Sequence, residues 1–88
     1  MKITLTYYAQ IRRLAGVETD AVELPDGATV LEAVRAAPGA AAARTLVLDD
    51  AGRLQPVILA IVNGAPAAPD RVLRDGDTIA LFSPVAGG

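Results

Sequence analysis

The stretch Lys2-Ile3-Thr4-Leu5-Thr6-Tyr7-Tyr8 decides the fold. Ile3, Leu5 and Tyr7 alternate with Thr4, Thr6 and Tyr8, the period-2 pattern of a strand with one buried face. A matching stretch lies near the other end. In Thr78-Ile79-Ala80-Leu81-Phe82, Ile79 and Leu81 share the core face, and Phe82 points the opposite way. These two strands are expected to be neighbours at the centre of one sheet. Tyr8 and Phe82 would then lie together on the face that Ile3 and Ile79 do not use.

The intervening sequence supplies the other elements. Ala9-Gln10-Ile11-Arg12-Arg13-Leu14-Ala15 suits a short helix with Ile11, Leu14 and Ala15 on its inner side, and Gly16 can end it. Thr19 to Leu24 alternates again, with Ala21 opposite in parity to Val22 and Leu24, and reads as a second strand. Pro25-Asp26-Gly27 is a turn. Thr29 fits a helix N-cap, and Glu32 three residues on completes a capping box. Val30, Leu31, Val34 and Ala37 give that helix its apolar face, and Pro38-Gly39 stops it. Ala40 to Arg44 reads as one loose helical turn and Thr45-Leu46-Val47-Leu48 as a short strand.

Asp49-Asp50-Ala51-Gly52 is a turn, and Val57 to Val62 is a further strand. Asn63-Gly64 is a hairpin signal. Pro66 and Pro69 keep Ala65 to Asp70 out of any central strand. Leu73 to Asp77 turns tightly into the last strand. The order is strand, strand, helix and then about three strands. Such an order predicts an α+β β-grasp, the ubiquitin-like arrangement of a mixed sheet with a helix packed across one face. The domain is expected over 1-82, with 83-88 as an extended tail.

Composition narrows the chemistry. Eighty-eight residues make a single domain. With no Cys and no His, the chain lacks disulfides, thiolate nucleophiles, the usual zinc and iron–sulfur ligands and the commonest general base. A ferredoxin-type β-grasp is thereby excluded. A net charge of −2, without a basic patch or a stacking platform of aromatics, argues against nucleic acid. The run Val57-Ile58-Leu59-Ala60-Ile61-Val62 is far short of the ~20 residues a membrane helix needs. Met1-Lys2-Ile3-Thr4 leads directly into a strand, so a signal peptide is not expected and the reading is cytoplasmic.

The stretch Ser83-Pro84-Val85-Ala86-Gly87-Gly88 follows the last strand. Two residues without Cβ can enter a narrow slot and adopt φ values closed to others. Six residues at ~3.3–3.6 Å each reach roughly 20 Å. Pro84 holds one φ and favours an extended tail. The other reading of the same residues is an end that happens to hold glycines.

With those residues in hand, the chain resembles the small subunit of molybdopterin synthase, a family of ubiquitin-like sulfur carriers. The resemblance rests on Tyr7-Tyr8-Ala9-Gln10-Ile11-Arg12-Arg13-Leu14-Ala15-Gly16, on Leu73-Arg74-Asp75-Gly76-Asp77 and on Phe82 to Gly88. Ser83 stands where that family often has a second proline, and Ala86 where it often has threonine. The resemblance implies that an ATP-dependent activating enzyme adenylates the Gly88 carboxylate. A sulfur donor then converts it to a thiocarboxylate that serves molybdenum cofactor biosynthesis.

On this reading Pro84, Val85, Ala86 and Gly87 enter the partner's active site, Tyr8 and Phe82 form the docking patch for the large subunit and the activating enzyme, and Arg12 belongs to the partner interface. The chain itself would hold no cofactor and no metal and would have no turnover alone; ATP belongs to the activating enzyme. Carriers feeding cysteine, thiamine or tRNA thiolation share the Gly-Gly form, and a β-grasp adaptor with an unreactive terminus is the alternative from another class.

Overall fold

A computed structural model describes residues 1–83; the expected tail residues Pro84, Val85, Ala86, Gly87 and Gly88 lie outside the described residues. Strand β1 (Lys2–Tyr7) is followed by helix α1 (Ala9–Ala15), strand β2 (Thr19–Glu23) and helix α2 (Val30–Ala36). Two short helices come next, α3 (Pro38–Ala42) and α4 (Arg44–Val47), and then β3 (Leu59–Val62), β4 (Ala65–Pro66) and β5 (Thr78–Phe82). The five strands form one mixed sheet in the order β2-β1-β5-β3-β4. β1 and β5 run parallel at its centre, with Leu5 opposite Ile79 and Tyr7 opposite Leu81. β2 pairs antiparallel with β1, and β3 with β5. This is the β-grasp that the parity of the two end stretches predicts.

The inner face buries Ile3, Leu5, Tyr7, Val22, Ala60, Val62, Ile79 and Leu81 against Ile11, Val30, Ala33, Val34, Ala37, Ala40, Ala43 and Val47. The capping box is complete: the Glu32 amide donates to Thr29 Oγ1 at 3.3 Å, and the Thr29 amide donates to Glu32 Oε1 at 3.0 Å. Gly16 ends α1 in the left-handed region, its amide donating to the Arg12 carbonyl. Asn63 and Gly64 carry the positive φ values, 50° and 86°, of a tight hairpin joining β3 to β4. Pro66 sits on that two-residue edge strand, where its missing N–H costs no ladder bond.

Several expectations give way to the structure. Thr45 to Leu48 is not a strand. Arg44–Val47 is a helical turn in which the Leu46 and Val47 amides both donate to the Ala43 carbonyl, and Leu48 alone forms a bridge, with Leu54. The β-branched residues invited a strand, but winding the turn is what buries Val47 completely. Ala40 to Arg44 likewise spans two short helices, and Pro38 opens the first of them at the position where a proline fits. β3 starts at Leu59, leaving Val57 exposed. On α2 it is Ala33 rather than Leu31 that is buried, and Leu14 of α1 is exposed.

Candidate functional site

Two clamps hold the strands that carry the site, one at the end of β1 and one at the start of β5. The first holds the end of β1. Tyr7 is fully buried, and its hydroxyl donates to Asp20 Oδ2 at 2.5 Å. The Gly39 amide donates to the same oxygen at 2.7 Å. Strand, edge strand and α3 thus meet at one carboxylate oxygen. Burial first, and then the Asp20 carboxylate, push the Tyr7 hydroxyl far above its ordinary 10.0, so it remains a donor. A Cβ at Gly39 would lie 2.6 Å from Tyr7 Cε2 and 2.7 Å from Asp20 Oδ2. With Tyr7 fastened inward, alternation sends Tyr8 to the other face.

The second clamp holds the start of β5. Asp77 Oδ2 accepts the Arg74 amide at 2.9 Å, and Oδ1 accepts Asn63 Nδ2 at 2.8 Å. The Thr78 amide donates to Asn63 Oδ1 at 3.1 Å. The Arg74 amide, and next the Asn63 amide, hold the Asp77 carboxyl below its ordinary 3.8. The bond from the Thr4 amide to the Asp77 carbonyl fixes β5 against β1. From this anchored start the strand runs to Phe82.

Tyr8 and Phe82 meet as expected. Their rings stack with centroids 4.5 Å apart and planes 6° from parallel. Tyr8 is 40% exposed and Phe82 half-buried. Such a pair contributes about 0.5–1.5 kcal/mol beyond its buried area. Arg12 lies one helical turn beyond Tyr8, its amide donating to the Tyr8 carbonyl at 3.4 Å. Its guanidinium pairs with Glu18 at the surface. The hollow beside it is lined by Ala9, Arg12, Arg13, Gly16, Val17 and Glu18.

Sequence reasoning missed two members of this face. Leu59 is the register partner of Phe82, and Ile61 that of Ala80, which in turn faces Thr6. Leu59 is 41% exposed and extends the row Tyr8–Phe82 across a third strand. The signal was available: if Ala60 and Val62 point inward, Leu59 and Ile61 must point outward. Exposed apolar and aromatic side chains gathered on one face suit a protein partner. Among the described residues, no group of acidic, Cys or His side chains is arranged to hold a metal ion. No described helix is long and apolar enough to cross a membrane.

Known proteins agree with this architecture. The ThiS family model matches residues 5–88. The molybdopterin synthase sulfur carrier subunit of Escherichia coli is 40% identical over 87 residues, covering 98% of this chain and 99% of the relative. Small archaeal modifier protein 1 of Haloferax volcanii is 38% identical over 82 residues, 92% of this chain and 94% of that one. The crystal structure of SAMP1 from Haloferax volcanii superposes with a TM-score of 0.90 at 35% identity, covering all of both chains. By that family match over nearly its whole length, and by its β-grasp fold, the chain belongs to the ThiS family.

Proposed function

We propose that this chain is the sulfur-carrier subunit of a molybdopterin synthase and acts through a thiocarboxylate at Gly88. The observation that carries the reading is the row Tyr8–Phe82–Leu59, an apolar partner surface at the end of the strand that leads into Ser83 and on to Gly87-Gly88. The 40% identity to a subunit of that name supports the pathway.

The chemistry follows from the terminus. An α-carboxyl with a pKa of roughly 3.3–3.7 is a carboxylate at neutral pH, and so a poor electrophile. One carboxylate oxygen attacks the α-phosphorus of ATP on an activating enzyme, and pyrophosphate leaves. Hydrosulfide from a sulfide donor then attacks the acyl carbon, AMP leaves with the bonding electrons, a proton is lost, and the thiocarboxylate results. This reconciles a sulfur carrier with a chain that has no cysteine. The nucleotide is held by the activating enzyme. The tail Pro84 to Gly88 delivers the sulfur into the large subunit, with Tyr8, Phe82 and Arg12 at the contact. The domain proper is 1-82, with 83-88 as the reaching arm.

The likeness to a protein called a small archaeal modifier favours a second reading, in which the same activated terminus serves another acceptor. Appending one alanine after Gly88 tests both readings against an unreactive adaptor. Sulfur transfer should vanish while partner binding is largely kept. Unchanged transfer by the extended chain would overturn the carrier chemistry.

A further inference from the structure

Asn63 is the chain's only asparagine, and glycine follows it. Asn63 and Gly64 make up the whole turn between β3 and β4, and both are exposed. Gly64 has no side chain to shield its own amide, and a Cβ built there would meet no described atom within 4 Å. That amide nitrogen is the nucleophile that follows the Asn63 side chain. It can bond to Asn63 Cγ while losing its proton. The Cγ–Nδ2 bond then breaks, its electron pair stays on nitrogen, and protonation completes ammonia. Water opens the resulting five-membered succinimide at either carbonyl, giving aspartate or its iso form. Water is the only co-reactant, and nothing is oxidised or reduced.

The neighbours of Asn63 decide what this modification does. Asn63 Nδ2 donates to Asp77 Oδ1 at 2.8 Å, and the Thr78 amide donates to Asn63 Oδ1 at 3.1 Å. Asp77 is itself pinned, its Oδ2 accepting the Arg74 amide at 2.9 Å. Loss of Nδ2 puts an acceptor oxygen where the donor stood, so two carboxylates would meet across the clamp.

We propose that Asn63 is a site of spontaneous deamidation, and that its product unfastens the start of β5 from the β3–β4 turn. The loss falls where Val62 faces Ile79, at the other end of β5 from Phe82. The iso form also adds a main-chain carbon to a two-residue turn. In the intact chain Asp77 delays the step, because Nδ2 must give up its bond to leave. None of this depends on the sulfur-carrier reading.

Two measurements test the proposal. The first incubates the whole chain, with a peptide of residues 61–66 as reference, in the same mildly alkaline buffer. Ammonia release is followed, and the replacement of NH2 by OH is mapped by mass spectrometry. The change should map to Asn63 and run about ten- to a hundredfold more slowly in the chain than in the peptide, the factor by which a hydrogen bond to a charged group shifts an opening equilibrium. Conversion slower than that range, or mapped elsewhere, overturns the site. Conversion as fast as the peptide's overturns the hold of Asp77.

The second measurement isolates the consequence. Aspartate tolerates the left-handed φ of 50° as asparagine does, so Asn63→Asp changes the side chain's donor and leaves the turn's backbone suited. At neutral pH it should lower the folding equilibrium constant about ten- to a hundredfold, read from urea unfolding. Adding Asp77→Asn exchanges donor and acceptor: the amide at position 77 donates to the carboxylate at position 63, and its oxygen still accepts the Arg74 amide. The combined chain should regain most of what either substitution loses alone. Asn63→Asp as stable as wild type, or a combined chain that only sums the two losses, overturns the unfastening.

Discussion

Replacing Gly39 by alanine separates local propensity from tertiary packing. Gly39 lies in α3, where alanine would favour the helix by about 1 kcal/mol. Its position opposes this. The new methyl would stand 2.6 Å from Tyr7 Cε2 and 2.7 Å from Asp20 Oδ2, closer than real contacts allow, and a tight 3.1 Å from Tyr7 Cζ. Tyr7 is 1% exposed and closed in by the core, so the ring cannot simply swing away. Overpacking of this kind costs about 1–3 kcal/mol. Pushing the ring or the carboxylate aside also weakens bonds of 2.5 and 2.7 Å to an ionised acceptor, worth about 1.5–3 kcal/mol each. With one such bond lost, the net destabilisation is about 2–4 kcal/mol, a large share of the roughly 5–15 kcal/mol typical of a domain. For a chain of this size the melting temperature should fall by roughly 10–30 °C. Urea and thermal unfolding, followed by circular dichroism, measure it. Ala41→Gly in the same helix is the control, expected to cost only the ~1 kcal/mol of propensity. A Gly39→Ala chain as stable as wild type, or more so, would refute the clamp.

The two clamps predict opposite pH behaviour. The folded Tyr7 hydroxyl titrates above its unfolded 10.0, so its contribution is intact below that pH and is lost as pH rises through the folded value. The stability gap between wild type and Tyr7→Phe should therefore shrink in alkaline denaturation curves above about pH 10. The folded Asp77 carboxyl titrates below 3.8, so its contribution is present above that pH and is lost as pH falls through the folded value. Asp77→Asn should cost about 1–3 kcal/mol at pH 7, and the gap should close in acid. Thr29→Ala removes the capping box and should lower stability by about 1 kcal/mol, read from the urea midpoint.

What could be read from the sequence divides by the kind of signal. The parity of Ile3, Leu5 and Tyr7 against Ile79 and Leu81 was enough to place β1 beside β5, because alternation survives whatever lies between. The box at Thr29 and Glu32 was legible because it is wholly local. Thr45 to Leu48 was misread because four residues do not distinguish a period of 2 from one of 3.6; the choice is made by the Ala43 carbonyl and by the burial of Val47. The Tyr8–Phe82 pair followed from parity, whereas Leu59 and Ile61 went unnoticed until the β3–β5 register placed them. The meeting of Tyr7, Asp20 and Gly39 has no local signature, since it arises from contacts far apart in sequence.

The central claim is that the Gly88 carboxylate carries sulfur. Its most direct test is the intact mass of the chain after incubation with its activating enzyme, ATP and a sulfur donor, with the change mapped by fragmentation. The account predicts a species heavier by the exchange of one oxygen for one sulfur, located at Gly88. A terminus that stays unmodified with all three components present would contradict it.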